Sequence, residues 1–190
     1  MKSLLGLFTI AAVVAPLASM APNAAGAETT RVETYPVVVG EAGVTDGDTI
    51  RMAKATVTAE GRTVEMTGVR IRLHGIDAPE KAQTCKDVKG QEWFCGHDAS
   101  KVMAELVRGN VVTCRVNDID HFKRLVSVCS VPGTPDINAE LVRRGLAVAY
   151  REYSMDYVDE EDAARAARVG LWAGTFDWPW DVRKAKRNKN

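Results

Sequence analysis

Five β-rich segments constrain the fold of this chain more than any other feature of its sequence. Valine, isoleucine and threonine are frequent in them, and turn residues such as Asp-Gly or Glu-Gly separate the first three. In the third segment, Val69, Ile71 and Leu73 alternate with polar residues, so they are expected to face one side of a sheet. The predicted strands cover residues 37–44, 49–58, 64–75, 111–116 and 125–131. This arrangement predicts a small closed barrel.

Helical patterns follow the third strand and continue towards the C-terminus. Residues 97–108 carry an apolar face that ends before a glycine. Residues 136–144 begin at a capping aspartate, and residues 159–169 run from acidic to basic, as the helix dipole favours. The chain is therefore predicted to be an α+β protein with a mainly β core and two to three helices packed on the barrel.

The N-terminus has the pattern of a secretory signal peptide. Lys2 precedes an apolar run that Pro16 interrupts, and Ala25-Gly26-Ala27 has the small residues of a cleavage site. The apolar run is shorter than the roughly 20 residues of a membrane-spanning helix. We expect cleavage after Ala27 and a periplasmic or secreted protein that is not membrane-bound, with an uncleaved anchor as the alternative.

The four cysteines are expected to form disulfides, because export places them in an oxidising compartment. Three pairings are possible. We favour Cys85–Cys95 and Cys114–Cys129, since the second pair lies on two strands predicted to be neighbours. A zinc site is the alternative, but the cysteines lack the C-x2-C spacing typical of such sites.

Charge and composition exclude some classes of protein. With 46% hydrophobic and 26% charged residues, the chain can bury a core and is not predicted to be disordered. Its formal net charge is zero, and removing residues 1–27 leaves 24 basic and 25 acidic residues, a net charge of −1. Neither value indicates a partner bound through the overall charge of the protein.

A set of carboxylates and arginines follows the turns and strand ends. Two carboxylates and a backbone carbonyl suit an oxygen-preferring cation such as Ca²⁺, and another carboxylate is able to hold a water molecule. Two arginines bind phosphate oxygens in a forked geometry. The residues concerned are Asp48, Arg72, Asp77, Glu80 and Arg124. Each motif alone is weak, since Asp46-Gly47-Asp48 is also a common turn, but together they favour phosphodiester hydrolysis.

Four stretches in this order resemble the thermonuclease, or staphylococcal nuclease-like, family. They cover residues 44–49, 72–80, 120–124 and 138–150, and the resemblance extends from about residue 37 to Trp172. The chain looks most like exported alphaproteobacterial members of the family. Their pattern includes Ala-Tyr-Arg-x-Tyr-Ser, present here at residues 149–154, and Gly-Leu-Trp at residues 170–172.

The resemblance implies a five-stranded OB-fold barrel and Ca²⁺-dependent cleavage of DNA and RNA. Position by position, Asp48 and Asp77 match metal ligands, and the carbonyl of Ala78 matches a third. The family usually has threonine at this last position, but a backbone ligand tolerates alanine. The substrate is expected to be single-stranded or unpaired nucleic acid, and the protein is expected to be a monomer.

The same resemblance assigns roles to the remaining residues. Glu80 matches the carboxylate proposed as general base towards the attacking water, and Arg72 and Arg124 match the pair that binds the scissile phosphate. Tyr150 matches a tyrosine of the nucleotide pocket, whereas Tyr153 only approximates the second one because its spacing differs.

One departure from the family pattern precedes the second arginine. The family commonly has Asp-x-Tyr-Gly-Arg there, and this chain has Phe122-Lys123 in place of Tyr-Gly. Because lysine adopts a positive φ only at a cost, we expect a changed turn at Arg124 and reduced activity. Alternatively, Lys123 adds a phosphate contact.

These patterns divide the chain into a signal peptide (1–27), an N-terminal extension (28–36), a thermonuclease-like OB-fold domain (37–174) and a basic C-terminal tail (175–190). The aromatic residues around the start of the tail are expected to pin it to the core, with stacking on bases as the alternative. The basic residues either contact phosphate or form a solvated end.

The favoured function is a secreted Ca²⁺-dependent nuclease. Two alternatives stay open: a catalytically weak or inactive OB-fold module that binds nucleic acid or another ligand, and an accessory protein of extracellular polysaccharide production. The presence of all the matched functional side chains favours the enzyme.

Overall fold

The computed structural model describes residues 35–188. The predicted signal peptide and most of the predicted N-terminal extension lie outside these residues, so both stay predictions. Between residues 35 and 188, no helix has the length and apolar character needed to cross a bilayer.

The described chain alternates strands and helices, with most strands before the first helix. The strands are β1 (Val37–Asp46), β2 (Thr49–Ala59), β3 (Arg62–Leu73), β4 (Ile76–Asp77), β5 (Cys85–Lys86), β6 (Glu92–Trp93), β7 (Val111–Ile119), β8 (Leu125–Ser130) and β9 (Val148–Ala149). The α-helices are α1 (Cys95–Val107), α2 (Ile137–Arg143), α3 (Val158–Ala167) and α4 (Pro179–Arg187), and a 3₁₀ turn covers Gly170–Ala173.

Five strands form the closed barrel that was expected of an OB-fold, in the order β1-β2-β3-β8-β7. Only the β3–β8 pairing is parallel among them, and β7 closes the barrel by pairing with β1. The predicted alternation in β3 is confirmed, since Val69, Ile71 and Leu73 are buried and Arg70 is exposed. The parallel pairing places the end of β3 beside the start of β8, where Arg72 of β3 and Arg124, directly before β8, line one cleft.

The two favoured disulfides, Cys85–Cys95 and Cys114–Cys129, are both present. Cys114 and Cys129 are direct partners on the neighbouring strands β7 and β8, as the sequence predicted. Their sequence separation of 15 corresponds to a stabilisation of about 3 kcal/mol in the chain-entropy model. All four cysteines are thereby used, which excludes the alternative zinc site.

Three of the helices lie where the sequence predicted them. The apolar face of α1 is buried against the barrel through Ala99, Met103 and Val107. Asp136 caps α2, its carboxylate accepting a hydrogen bond from the backbone N–H of Ala139 at 2.9 Å. α3 begins at Val158, one residue before the predicted start.

A fourth helix, α4, exceeds the predicted two to three. Pro179 lies in its first turn, a position that proline favours, and acidic and basic residues lie at its N- and C-terminal ends. The aromatic residues before and at its start pack with Leu171, Val148 and the Cys85–Cys95 disulfide in a second hydrophobic cluster. This confirms the expectation that the aromatic residues pin the C-terminal segment to the core.

Candidate active site

Most of the predicted site residues line one cavity of about 730 Å³ at an end of the barrel. The cavity lies where the β1–β2 turn, the end of β3, the loop after β4 and the β7–β8 turn meet. Its walls include Asp48, Arg72, Ala78, Glu80, Arg124, Tyr150 and Tyr153. Asp77 is buried behind these residues and accepts a hydrogen bond from Arg72.

Asp48 follows a tight turn that packs closely against its neighbours. A Cβ atom at Gly47 would lie 2.7 Å from the Cβ of Ala78 and 2.8 Å from that of Ala99, so only glycine fits between them. The Asp48 carboxylate accepts a hydrogen bond from the backbone N–H of Ala78 at 2.7 Å and pairs with Arg72. The turn residues thereby fix one carboxylate beside the loop that follows β4.

Arg72 joins the two predicted metal-ligand carboxylates. Besides its ion pair with Asp48, it donates to Asp77 Oδ1 at 2.7 Å and to the carbonyl of Ile76 at 3.0 Å. Burial lowers the pKa of Arg72, while the charge of Asp77 opposes this effect. An arginine remains protonated at neutral pH, so Arg72 contributes a positive charge at the base of the cavity, between the two carboxylates.

Glu80 lies on a loop that α1 and Gln83 support. Gly96 of α1 packs so closely against the carbonyl of Glu80 that any Cβ atom there would overlap it. The Gln83 side chain accepts from the Glu80 N–H at 3.1 Å and donates to the carbonyl of Asp177 at 2.7 Å. These contacts fix the backbone of Glu80, and its carboxylate faces the cavity.

Arg124 is held by Asp120 within the β7–β8 turn. The carboxylate of Asp120 accepts from Arg124 Nε at 2.7 Å and from the Arg124 and Phe122 N–H groups at 2.9 Å each. Lys123 adopts a φ of 60°, the left-handed region that glycine favours. We expected the turn to change its shape at Lys123, and this change is not observed. Lysine adopts the left-handed conformation instead, despite the steric cost of that conformation.

Tyr150 and Tyr153 lie together at the cavity wall. Their rings meet edge to face at 4.6 Å, and Tyr153 is 71% exposed. Tyr150 follows β9, which pairs with β4, and its N–H donates to the carbonyl of Gly75 at 2.8 Å. Burial raises the pKa of Tyr150, an effect that the charge of Asp77 reinforces, so the phenol stays neutral at neutral pH.

Comparison with known proteins adds an independent line of evidence. Residues 70–174 match the model of the family described as staphylococcal nuclease homologue. The chain is 31% identical over 183 residues to the succinoglycan biosynthesis protein ExoI of Rhizobium meliloti, which covers 95% of this chain and 84% of that protein. The chain belongs to the staphylococcal nuclease family.

Two further members of the staphylococcal nuclease family carry names that describe nucleases. An uncharacterized endonuclease of Escherichia coli is 32% identical over 146 residues, covering 74% of this chain and 82% of that protein. The micrococcal nuclease of Shigella flexneri is 29% identical over 158 residues, covering 76% of this chain and 79% of that protein. Family membership therefore supports nuclease activity in general, and the Rhizobium relative is compatible with the alphaproteobacterial type.

One residue from beyond the matched family segment reaches the same site. Arg183 of α4 donates to Asp77 Oδ1 and Oδ2 at 2.9 and 2.8 Å and to Glu80 Oε1 at 3.2 Å. Burial opposes its charge, but the hydrogen bonds and charges of Asp77 and Glu80 outweigh this effect, so the pKa of Arg183 is raised. The sequence indicated only a basic tail and gave no spacing signal for this contact.

Buried Glu161 is a second residue that sequence reasoning missed. It is 1% exposed and accepts hydrogen bonds from the Ala149 N–H at 2.7 Å, from Arg151 at 2.7 Å and from Arg165 at 3.3 Å. Glu161 is one of three acidic residues in the first turn of α3, in agreement with the predicted acidic-to-basic order of this helix, but its burial was not expected. The available signal was the helical spacing of residues 161 and 164, which share the buried face of α3.

The chemistry of the donors fits a hard cation such as Ca²⁺. Asp48 and Asp77 are 3% and 0% exposed, and Arg72 and Arg183 supply the positive charge that such buried carboxylates require. Carboxylate and carbonyl oxygens are the ligands that Ca²⁺ prefers. Within residues 35–188, no group of three or more His, Cys, Asp or Glu residues meets the geometry of a metal site, and arginines pair with both aspartates.

Proposed function

We propose that this protein is an exported Ca²⁺-dependent nuclease that hydrolyses phosphodiester bonds of DNA or RNA by attack of water. Membership of the staphylococcal nuclease family supports the reaction class. The single observation that carries the proposal is the ion-paired cluster of Arg72 with Asp48 and Asp77, which lies at the same cavity as Glu80 and Arg124.

In the proposed reaction, Asp48, Asp77 and the Ala78 carbonyl would hold Ca²⁺. When bound, the ion supplies positive charge that neutralises a non-bridging phosphate oxygen. Arg72 and Arg124 bind the remaining phosphate oxygens and stabilise the charge that accumulates on them. Their forked guanidinium groups suit this role because each donates two parallel hydrogen bonds.

Glu80 acts as the general base in this proposal. It accepts a proton from a water molecule while the water oxygen forms a bond to phosphorus, and the bond from phosphorus to the leaving oxygen breaks. Positioning of Glu80 by Gly96 and Gln83 limits its movement, which favours such a reaction because geometry contributes much of the rate.

The tyrosine pair supports a single-stranded or unpaired substrate. Tyr153 is exposed beside Tyr150, and aromatic side chains at a phosphate-binding site stack on bases that are free of a partner strand. The proposal includes a monomer in the periplasm or outside the cell, and the two disulfides are consistent with an oxidising compartment.

The decisive experiment measures release of acid-soluble nucleotides from denatured DNA and from RNA by the purified protein. We expect turnover with Ca²⁺ and its loss with chelator. Glu80→Gln is expected to lower kcat by about 10²–10⁴-fold, the usual contribution of a general base. Glu105→Gln, on the exposed side of α1, is the matched control and should keep the parental rate. Equal rates with and without chelator would exclude the metal role.

One relative favours a second candidate function. The succinoglycan biosynthesis protein of Rhizobium meliloti is a homologue over most of both chains, which supports an accessory role in polysaccharide production. In that case, the purified protein should bind an extracellular polysaccharide and should release no acid-soluble nucleotides at any Ca²⁺ concentration. Binding of single-stranded DNA without cleavage would instead favour an inactive module that binds nucleic acid.

A further inference from the structure

Arg183 contacts the two carboxylates on which the proposed reaction most depends. Its guanidinium holds both oxygens of Asp77, at 2.9 and 2.8 Å, and one oxygen of Glu80, at 3.2 Å. Asp77 is fully buried, and its Oδ1 atom also accepts from Arg72. Both oxygens of the central carboxylate are therefore engaged by guanidinium groups of the chain itself.

A divalent cation and Arg183 cannot use Asp77 in the same way at the same time. A cation takes up the oxygen lone pairs to which Arg183 donates, and it would add a third positive group to a carboxylate that already contacts Arg72 and Arg183. Binding of a cation at Asp77 thus requires Arg183 to withdraw. Arg72 contacts only the Oδ1 atom of Asp77, so withdrawal of Arg183 alone leaves Oδ2 open to a cation.

Packing of the C-terminal segment holds Arg183 in this position. The Trp180 ring stacks on Tyr150, with centroids 5.4 Å apart, and on Trp178, with centroids 4.7 Å apart. The carbonyl of Asp177 accepts from Gln83, whose side chain also binds the Glu80 backbone. α4 is therefore attached to the site at several points, and Arg183 is positioned before any ligand arrives.

Charge balance leads to the same conclusion. Three carboxylates of the site, Asp48, Asp77 and Glu80, are contacted by two guanidinium groups, those of Arg72 and Arg183. Arg124 is paired with Asp120 instead, so the two charges of that pair cancel. The cluster of three carboxylates and two guanidinium groups therefore has a net charge of −1, and without Arg183 its net charge is −2, which attracts a cation more strongly.

We propose that Arg183 is an internal competitor of the metal ion and that α4 thereby sets the Ca²⁺ concentration at which the site is filled. This inference rests on the proposed function, since it takes Asp77 as a metal ligand. It adds to that function a residue from outside the matched segment 70–174, which determines metal affinity rather than the chemical step.

Calorimetric titration of the whole purified chain with CaCl₂ tests the proposal directly, without reference to activity. Arg183→Gln should bind Ca²⁺ about tenfold more tightly than the parent, the gain expected if Arg183 occupies the site about nine-tenths of the time. Arg183→Lys should give an intermediate affinity, because an ammonium group cannot hold both Asp77 oxygens. Lys184→Gln, an exposed neighbour on α4, is the matched control.

Hydrogen exchange of the parent provides a second measurement that needs no variant. Addition of Ca²⁺ should speed exchange of the amides of residues 179–187, because displacement of Arg183 removes its three hydrogen bonds to Asp77 and Glu80. Slower or unchanged exchange there, at Ca²⁺ concentrations that fill the site, would contradict the displacement.

The outcomes separate this proposal from the proposed function. Equal Ca²⁺ affinity of Arg183→Gln and the parent, with Ca²⁺-dependent cleavage intact, would overturn the competition and leave the nuclease standing. Absence of Ca²⁺ binding in the parent and in all three variants, with cleavage unaffected by chelator, would overturn both. Tighter binding by Arg183→Gln supports the competition even if neither protein cleaves DNA.

Discussion

Trp180 lies parallel to Tyr150, with ring centroids 5.4 Å apart and an interplanar angle of 7°. Trp180 also stacks on Trp178, with ring centroids 4.7 Å apart and an interplanar angle of 13°. The indole is therefore engaged by two aromatic rings of the chain itself. Its role is to attach α4 to the wall of the active-site cavity.

Trp180→Ala should loosen α4 without unfolding the barrel. Loss of a half-buried tryptophan and its two stacking contacts is expected to lower the free energy of unfolding by about 2 kcal/mol, less than for a fully buried ring. The measurement is urea unfolding, together with hydrogen exchange at residues 179–187. Trp180→Phe keeps a stacking ring and should recover most of the loss. Unchanged exchange in Trp180→Ala would contradict the anchoring role.

The barrel and the cluster of catalytic candidates were predictable because their signals are local. Alternation in β3 fixes which residues are buried, and the Asp-Gly turn places Asp48 at a strand end. The direct pairing of Cys114 with Cys129 followed from predicting two adjacent strands. Family resemblance then supplied roles that spacing alone does not give.

The contacts of Arg183 and Glu161 were not predictable from the sequence, because they depend on tertiary packing. Arg183 lies 106 positions after Asp77, and its place depends on how Trp180 and Gln83 hold α4. Short pairings such as β4 with β9 span two residues, too few to produce a periodic pattern. A charged residue on a helix is usually exposed, so the burial of Glu161 contradicts the usual expectation.

Glu161→Gln should destabilise the protein. The amide keeps an acceptor for the Ala149 N–H but loses the charge that binds Arg151 and Arg165. Hydrogen bonds to charged groups contribute about 1.5–3 kcal/mol, so we expect a loss of about 2 kcal/mol in denaturant unfolding. Glu160→Gln, whose partner Arg143 lies 3.5 Å away near the surface, should cost less than about 1 kcal/mol. Equal losses in the two variants would contradict the role of Glu161.

Lys123→Gly should stabilise the protein. Lys123 has a φ of 60°, a conformation that costs a non-glycine residue about 1–2 kcal/mol, while glycine loses about 0.5–1 kcal/mol more backbone entropy on folding. The expected net gain is about 0.5–1 kcal/mol in chemical denaturation. Lys89→Gly, in an exposed loop and without a positive φ, controls for the entropy term and should not stabilise. A stability below that of the parent would show that the lysine side chain contributes to the turn.

Asp120→Asn should reduce nuclease activity through Arg124. Asparagine can accept from backbone N–H groups but carries no charge for Arg124 Nε, so the guanidinium is held less firmly. A displacement of about 1 Å at a catalytic group lowers the reaction rate by up to about 10²-fold. We therefore expect kcat to fall by about 10- to 10²-fold, with little change in KM. Asp118→Asn, two residues earlier and exposed, is the matched control. A change confined to KM would place Arg124 in ground-state binding instead.

The same variant should alter the acid sensitivity of the fold. Burial raises the pKa of Asp120, but the hydrogen bonds from the Arg124 backbone and side chain outweigh it, so the pKa is lowered overall. A carboxylate whose folded-state pKa is lowered stabilises the protein above its unfolded pKa of about 3.9, and that contribution disappears as the pH falls through the folded-state value.

The melting temperatures of the parent and of Asp120→Asn should therefore differ most between about pH 5 and pH 7 and converge as the pH falls below about 4. Thermal unfolding across this range provides the measurement. Asp118→Asn is the matched control, because it removes an exposed carboxylate that forms no ion pair within residues 35–188. A constant difference between the parent and Asp120→Asn from pH 7 to pH 3 would mean that the Asp120 contribution arises from backbone hydrogen bonding rather than from its charge.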